Sequence, residues 1–331
     1  MSLIGTDYVN LVDSMKEQTD KDLIELLSET NDIIKDAHYQ PCNAGKGGTT
    51  NHNVTVRNGL PKATWVKYYE GVTPSKGTTT VVTVSTGMLK AYSEVDEDLV
   101  LDNPNPAKFR LNQAKAHLEA MNQEMQHQIF YGEKKKGAAF DGIANLYDSI
   151  STDKTKIGYN VINAGGTTGA LTSIYLVCWR DTGISLIYPE NGKAGLEHVD
   201  NGVIKATAAN GGKFNVYSDD YKWKLGVAVE DWRCSGRICN IPVDEDKRKE
   251  LGIDLAKLMR HLVRKVKKHA NGGKLFFYMN SDIIDAFEDQ ILDKNNIQFT
   301  MGEYLGEQVE MFKKIPLREI DQISLEEKKV A

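Results

Sequence analysis

The chain has 331 residues, of which 40% are hydrophobic, with 41 basic and 46 acidic side chains and a net charge of −5. This length and apolar content suffice for two or three domains with hydrophobic cores, which excludes disorder over most of the chain. The small negative charge excludes a wholly basic nucleic-acid-binding protein, although it leaves a local basic face open.

The cysteines and the hydropathy pattern indicate a water-soluble protein. Four cysteines are too few for a disulfide framework and form no CxxC pair, so we expect reduced thiols in a cytoplasm: Cys42, Cys178, Cys234 and Cys239. Neither a secretory signal nor an 18-residue apolar span is present, and we expect no contact with a membrane.

The first 36 residues form an acidic arm, with nine acidic and three basic side chains that sum to −6, while the remaining residues sum to +1. Thr19 can cap a helix in this arm whose apolar residues share one face: Leu23, Leu26, Leu27, Ile33 and Ile34. Residues 43–53 (NAGKGGTTNHN) have no apolar period, which predicts a loop or an extended connection.

Residues 54–92 have the composition of strands and a hairpin. Residues 78–85 (TTTVVTVS) consist almost entirely of β-branched valine and threonine, and residues 64–69 (TWVKYY) also favour a strand. Asn58-Gly59 and Pro74 favour turns. Because large aliphatic side chains are few here, the hairpin cannot bury a core of its own. We therefore predict a projecting β-arm that needs a partner; the alternative is an ordinary edge hairpin of a compact sheet.

The clearest helix follows Pro106. Apolar residues recur at steps of three and four over about five turns, and Gly132 ends the pattern: Leu111, Ala114, Leu118, Met121, Met125 and Ile129. His117 and His127 on this helix lack the spacing of metal ligands, so we interpret both as surface or packing residues.

Residues 157–243 are mainly β in character, and an α/β pattern follows them. We predict one helix over 246–270 with Leu251 on its apolar face and the stop Asn271-Gly272-Gly273, then a buried strand at 274–279. Ser281 is predicted to cap a third helix, and 309–321 is predicted to form the last strand. This order indicates a compact α/β lobe with a mixed sheet.

Signatures of catalysis and of cofactor binding are weak throughout. The glycines of 44–50 and of 165–169 match neither a phosphate loop nor a dinucleotide motif, and no GxSxG elbow occurs. Cys178 lies in an apolar strand pattern, and the acidic run 94–102 lacks the spacing of a calcium loop. We predict no catalytic, cofactor or metal site.

A basic cluster occupies the C-terminal half of the predicted second helix: Lys257, Arg260, Arg264, Lys265, Lys267 and Lys268. Two interpretations are open, a patch for phosphates or an acidic neighbour and a solvated face whose cations oppose the helix dipole. The second is favoured by the pattern alone, and the lack of interleaved aromatic residues argues against sequence-specific reading of nucleic acid.

Several long strings resemble the major capsid proteins of tailed bacteriophages, particularly of short-tailed phages. They occur in order between about residues 50 and 245: 55–76 (TVRNGLPKATWVKYYEGVTPSK), 91–96 (AYSEVD), 119–125 (EAMNQEM), 129–132 (IFYG), 140–147 (FDGIANLY), 172–179 (TSIYLVCW), 187–196 (IYPENGKAGL) and 221–233 (YKWKLGVAVEDWR).

The resemblance implies the α+β tailed-phage capsid fold, which encapsulins and the floor of herpesvirus shells also use. On this mapping residues 1–50 are the N-terminal arm and 51–95 an extended β-hairpin loop. Residues 96–150 and 305–325 would form a peripheral domain with a long spine helix, and 151–304 mainly an α/β axial domain. The acidic arm, the hairpin without a core, the dominant helix and the α/β lobe were each inferred from the residues as well.

The resemblance further implies a non-enzymatic virion protein that assembles in the host cytoplasm. We expect hexamers and pentamers in an icosahedral head around double-stranded DNA, with non-specific DNA contact and with scaffolding, portal and decoration proteins as partners. Trp65, Tyr68 and Tyr69 of the hairpin are the expected contacts between subunits. The alternatives are an encapsulin-like cellular compartment and, from another class, a soluble enzyme that uses Cys178 and dispersed histidines.

Overall fold

The computed structural model describes residues 32–43, 50–101, 106–134, 140–207, 211–294, 299–304 and 307–331. The helices are α1 (Asp32–Asp36), α2 (Glu97–Leu101), α3 (Pro106–Tyr131), α4 (Ile143–Leu146), α5 (Glu245–Glu250), α6 (Leu255–Val266) and α7 (Ser281–Lys294). The strands are β1 (Tyr39–Pro41), β2 (Asn51–Gly59), β3 (Thr78–Ser85), β4 (Gly87–Asp96), β5 (Val161–Asn163), β6 (Leu171–Trp179), β7 (Ile184–Tyr188), β8 (Leu196–Thr207), β9 (Lys213–Val229), β10 (Gly236–Pro242), β11 (Lys274–Met279), β12 (Phe299–Tyr304), β13 (Glu307–Phe312) and β14 (Ile315–Glu319). Of the capped helix predicted in the acidic arm, Ile33 and Ile34 lie in α1, and Thr19, Leu23, Leu26 and Leu27 lie outside the described residues.

Twelve strands form one mixed sheet, and β2 and β3 form a separate two-stranded sheet. The main path of the large sheet is β12-β13-β14-β11-β6-β7-β9-β4. β6 pairs antiparallel with both β10 and β11, and all nine of its residues are buried. A strand buried on both faces explains the continuous apolar pattern of its sequence.

The two faces of the large sheet bury two separate cores. Tyr175, Val177 and Trp179 of β6 join the core beneath α3, whereas Ile174 and Leu176 join the core beneath α6 and α7. This alternation follows from the period of two in a strand, which sends successive side chains to opposite faces. Helices on both faces give the layered architecture that the α/β pattern predicted.

Helix α3 confirms the predicted spine. Ala114, Leu118, Met121, Met125 and Ile129 are all buried against the sheet. The helix ends where predicted, with the amide of Gly132 donating to the carbonyl oxygen of Gln128 at 3.0 Å. No helix among the described residues is long and apolar enough to cross a membrane.

The single helix predicted over 246–270 is wrong, because the structure divides it into α5 and α6. Gly252 adopts φ +60 just after α5, and the side chain of Asp254 accepts a hydrogen bond from the amide of Lys257 at 2.9 Å, capping α6. A left-handed glycine and a capping aspartate are stop and start signals that the leucine spacing concealed. Leu251, predicted on the apolar face, is 51% exposed.

Three other local predictions are corrected. Residues 64–69 form no strand and lie in the connection between β2 and β3. The cap of α7 is Asn280, whose side chain accepts from the amide of Asp282 at 3.2 Å, while Ser281 is already helical. The single strand predicted at 309–321 is two strands, β13 and β14, which turn at Lys313 and Lys314.

The pairing of two strands bears on the predicted domain division, which stays a proposal. β4, which we placed in the hairpin loop, pairs antiparallel with β9 of the large sheet along its whole length. β14, which we placed in the peripheral domain, pairs in parallel with β11. The hairpin proper therefore consists of β2, β3 and the connection between them.

Candidate functional site

The connection between β2 and β3 presents aromatic rings to solvent. Residues 60–80 are exposed without exception, and Trp65, Tyr68 and Tyr69 are 102%, 96% and 108% exposed. The structure thus brings the three predicted contact residues together at the tip of one loop. Grouped apolar side chains at the surface are a feature of many protein–protein contacts.

Hydrogen bonds give this loop a defined shape although it has no core. Ser75 Oγ accepts from the amide of Lys62 at 2.9 Å and donates to its carbonyl oxygen at 3.0 Å, closing the neck of the loop. At the tip, the amide of Glu70 donates to the carbonyl oxygen of Lys67 at 3.2 Å, and Tyr69 adopts φ 72. A bulky residue in the left-handed region is strained, a feature concentrated at functional sites.

The base of the hairpin is anchored in a small apolar cluster. Val54 of β2 packs with Cys42, Ile187 and Ala228, and Val56 and Val84 border this cluster. The buried His52 ring contacts Glu230 Oε1 at 3.3 Å. The base of the hairpin is thus packed against the large sheet, whereas its tip is exposed to solvent.

A groove of about 470 Å³ runs beside the base of the hairpin. Residues 82–85 of β3 form one wall, residues 133–134 and 140–148 form another, and Val227 and Val229 of β9 complete it. Val82, which lines the groove, is itself 51% exposed.

The outer face of β4 and β8 adds further exposed apolar side chains. Met88 and Tyr92 of β4 are 52% and 55% exposed, and Val199 of β8 is 53% exposed. Both strands flank β9, whose Tyr221 and Trp223 are buried on the α3 side. One face of this three-stranded region is therefore packed, and the other carries apolar side chains outward.

A buried charge cluster fastens α3 to this region. Arg110 Nη2 lies 3.1 Å from Asp219 Oδ2 and 3.6 Å from Asp200 Oδ1, and His198 Nε2 lies 3.0 Å from Asp219 Oδ1. Burial raises the pKa of the Asp219 carboxyl and lowers the pKa of the Arg110 guanidinium, because both charges are held away from water. Their mutual contact offsets part of that penalty.

A second buried cluster locks the C-terminal segment into the core, and the sequence offered no signal for it. Glu327 accepts from Arg237 Nη2 at 2.9 Å, from Tyr175 Oη at 3.0 Å and from the Ser173 and Tyr131 hydroxyls. Residues this distant in sequence meet only after the sheet forms. In the sequence, Glu327 stands beside Glu326, Lys328 and Lys329 and therefore has the pattern of a surface charge.

The predicted basic cluster lies on and just after α6. Lys257, Arg264, Lys267 and Lys268 are exposed, whereas Arg260 and Lys265 are half-buried. Leu255, Met259 and Leu262 occupy the opposite, core-facing side of the helix. The amphipathic arrangement expected of α6 is therefore present.

The structure gives no chemical site to the residues weighed for catalysis. All four cysteines are buried, as free thiols, and Cys178 and Cys234 have no exposed surface. His117 stacks near Tyr221 and His127 near Tyr131, in keeping with packing roles. Within the described ranges no three His, Cys, Asp or Glu residues are placed to hold a metal ion.

Comparison with known proteins gave one family and several solved structures. The profile of the family described as major capsid protein GP7 matches residues 15–331. A chain from a cryo-EM structure of bacteriophage Epsilon15 is 27% identical with a TM-score of 0.64, over 87% of this chain and 86% of that chain. No curated protein matches the sequence.

Two further structures are more distant. The capsid of bacteriophage JBD30 is 7% identical with a TM-score of 0.46, over 88% of this chain and 90% of that chain. The holo-SrpI encapsulin complex from Synechococcus elongatus is 10% identical with a TM-score of 0.40, over 63% of this chain and 86% of that chain.

Proposed function

This chain belongs to the major capsid protein GP7 family, and we propose that its hairpin tip joins neighbouring copies of the chain into the shell. The chain is a structural subunit of a phage capsid, located in the virion, and not an enzyme. The predicted tailed-phage capsid fold and the predicted family are confirmed. The soluble-enzyme alternative is thereby excluded, and the encapsulin-like alternative has only a distant structural neighbour.

The exposure of Trp65, Tyr68 and Tyr69 carries the proposal. A monomer gains nothing from three aromatic rings held in water, whereas burial of each ring on a neighbour contributes about 2 kcal/mol. Closed symmetry repeats such a contact in every copy, so many modest contacts stabilise the whole particle.

The finer features of the assembly are parts of the same proposal. Copies of the chain form hexamers and pentamers of an icosahedral head that assembles in the host cytoplasm and encloses double-stranded DNA without sequence preference. Scaffolding, portal and decoration proteins join it. Three parts of the chain contact neighbouring copies in this assembly. They are the hairpin of β2 and β3, the spine α3 with the β4-β9-β8 region, and the lobe around β6, β11 and α6.

The test replaces rings at the tip without disturbing the backbone. Trp65→Ser removes the indole, and Tyr69→Gly removes the phenol while keeping the left-handed φ that Tyr69 adopts. The control is Leu251→Ser, which alters an apolar side chain that is 51% exposed on the connection between α5 and α6. All variants are produced under conditions in which the unaltered chain forms shells.

Sedimentation velocity and electron microscopy distinguish the outcomes. We expect the double variant Trp65→Ser/Tyr69→Gly to remain as folded monomers or free capsomers, with an unchanged melting temperature, while Leu251→Ser forms shells. Intact shells from the double variant in normal yield would contradict the proposed contact. Loss of assembly in both variants would do the same, because the effect would then be general.

A further inference from the structure

A pocket of about 270 Å³ near the C-terminal end of α6 is lined by cations from three separate segments of the chain. Its basic lining residues are Lys154, Arg233, Arg264, Lys265, Lys268 and His269, together with Tyr159, Asn160 and Trp232, and no carboxylate lines it. We refer to these six basic residues as the basic pocket.

The helix dipole explains only part of this arrangement. A helix C-terminus favours cations within its last turn, which accounts for Arg264, Lys265 and Lys268. It does not account for Lys154, in the loop before the 3-10 turn Ile157–Asn160, or for Arg233, in the turn Trp232–Cys234. Three segments converge on one pocket with the same sign of charge, which is the arrangement of an anion site.

The cations of the pocket are only partly compensated within the chain. Arg233 is paired with Asp231, at 2.8 and 3.0 Å. Lys265 Nζ lies 4.3 Å from the centre of the Tyr159 ring and donates to the carbonyl oxygen of that residue, and burial lowers its pKa. Lys154 and Lys268 are exposed and face the pocket opening.

A second group of cations continues the surface beyond the pocket. Burial and the charges of Arg260, Arg264 and Lys267 lower the pKa of Lys313, so these four side chains lie within electrostatic reach of one another. Lys313 and Lys314 occupy the turn between β13 and β14 with φ 54 and 65. Such a turn favours Asn and Gly, so its geometry does not call for lysine at either position.

Arg264 belongs to both groups and makes the surface continuous from Lys154 to Lys313. A strip of cations longer than one pocket suits a chain of phosphates better than a single anion. The basic strip is the basic pocket together with Arg260, Lys267 and Lys313. We propose that it binds the phosphodiester backbone of the enclosed DNA. The inference rests on the proposed function, since it names the surface of the shell subunit that contacts the genome.

The binding is independent of sequence. Phosphate contacts position a duplex without reading bases, and each neutralised phosphate releases counterions and makes the affinity fall with salt. The net charge of −5 does not oppose this, because the acidic arm carries −6 and the strip lies on a separate part of the chain.

The test measures the affinity of the unassembled full-length chain for a fluorescent 20-base-pair duplex by anisotropy, between 50 and 200 mM NaCl. The variant Lys154→Gln/Lys268→Gln removes two exposed cations of the strip. The control Lys247→Gln/Lys249→Gln removes the same charge from α5, where both lysines are exposed and paired with Asp244 and Glu245.

We expect the slope of log affinity against log salt to become shallower by about 2 in the strip variant, close to one unit for each lysine, and to stay unchanged in the control. An equal decrease in both variants, or no duplex binding by the unaltered chain, would overturn the inference. A third outcome would also overturn it: the strip variant binds a synthetic peptide of residues 1–31 more weakly than the unaltered chain does, but binds the duplex equally well. The ligand of the strip would then be the acidic arm of another copy.

Shell formation is scored in the same preparations and separates the two proposals. Shells that form from the strip variant with normal yield, together with lost duplex affinity, support the inference and leave the hairpin contact intact. Normal duplex affinity in a hairpin variant that forms no shells would support both proposals, because the strip would then bind DNA independently of the hairpin contact.

Discussion

Arg318 of β14 and Asp36 at the end of α1 form a buried two-point ion pair across 282 positions of the sequence, with Nε to Oδ2 at 2.9 Å and Nη2 to Oδ1 at 3.1 Å. Their side chains are 5% and 0% exposed. The pair ties the first described helix to the last strand. It holds the C-terminal end of α1 against β14.

Arg318→Met is expected to lower the free energy of unfolding by about 3–5 kcal/mol, because it leaves the Asp36 carboxylate buried without its partner. The comparison is Lys249→Met, which removes an exposed pair with Glu245 at 2.6 Å and should lower the free energy of unfolding by less than about 1 kcal/mol. Urea unfolding followed by circular dichroism measures both. Equal effects would mean that the buried pair adds nothing to stability.

Glu327→Ala is expected to destabilise the subunit by about 3–5 kcal/mol, since Arg237 would remain buried without a counter-charge. Its neighbour Glu326 is exposed, so Glu326→Ala should change stability by no more than about 0.5 kcal/mol. Trypsin cleavage after Lys328 and Lys329 provides a second measurement, because the tail should become accessible only in the first variant. Protection of the tail in Glu327→Ala would count against the proposed lock.

The raised pKa of Glu310 in β13 predicts that the stability of the folded chain decreases as the pH rises. Burial, then Glu288 and Asp285 of α7, raise its pKa from 4.5 to about 7. The folded chain thus binds this proton more tightly than the unfolded chain, so the contribution of Glu310 to stability falls as pH rises from about 4.5 to 7. Glu310→Gln should flatten this part of the melting temperature profile between pH 5 and 8, and parallel profiles for both proteins would refute the assignment.

The four thiols should be unreactive in the folded subunit. Burial raises the pKa of Cys42 and of Cys239 to about 11, and a hydrogen bond to Cys178 together with burial raises the pKa of Cys234. The hydrogen bond with Cys234 lowers the pKa of Cys178, so the protection of this thiol rests on its burial. The thiolate is the reactive form, and all four side chains are buried. Titration with Ellman's reagent at pH 8 should give no thiol in the native protein and four after denaturation in guanidinium; rapid native labelling of any one thiol would contradict this burial.

The elements with strong local patterns were predictable from the sequence. The apolar spacing of α3 and the continuous apolar sequence of β6 correspond to a helix with one buried face and to a fully buried strand in the structure. In each case the side chains within one element determine both its type and its buried face.

Other elements depend on partners that are distant in sequence. β8 was not predicted, because Asn201-Gly202 has the composition of a turn, whereas the structure uses Gly202, at φ +69, for a bulge opposite Ser218. The polar middle of β9 has the composition of a break between two strands, yet it pairs with β4 and β8 and stays extended. The basic pocket could not be predicted, because Lys154 and Arg233 reach α6 only in the folded chain.

The uninterrupted β9 connects two regions of the large sheet through one strand. Its 17 residues span about 56 Å at the usual rise of about 3.3 Å per residue. One end is clamped between β4 and β8, and the other end pairs with β7. A displacement of the region formed by β4 and β8 is therefore transmitted to β7 through one continuous strand, with no loop between the two regions.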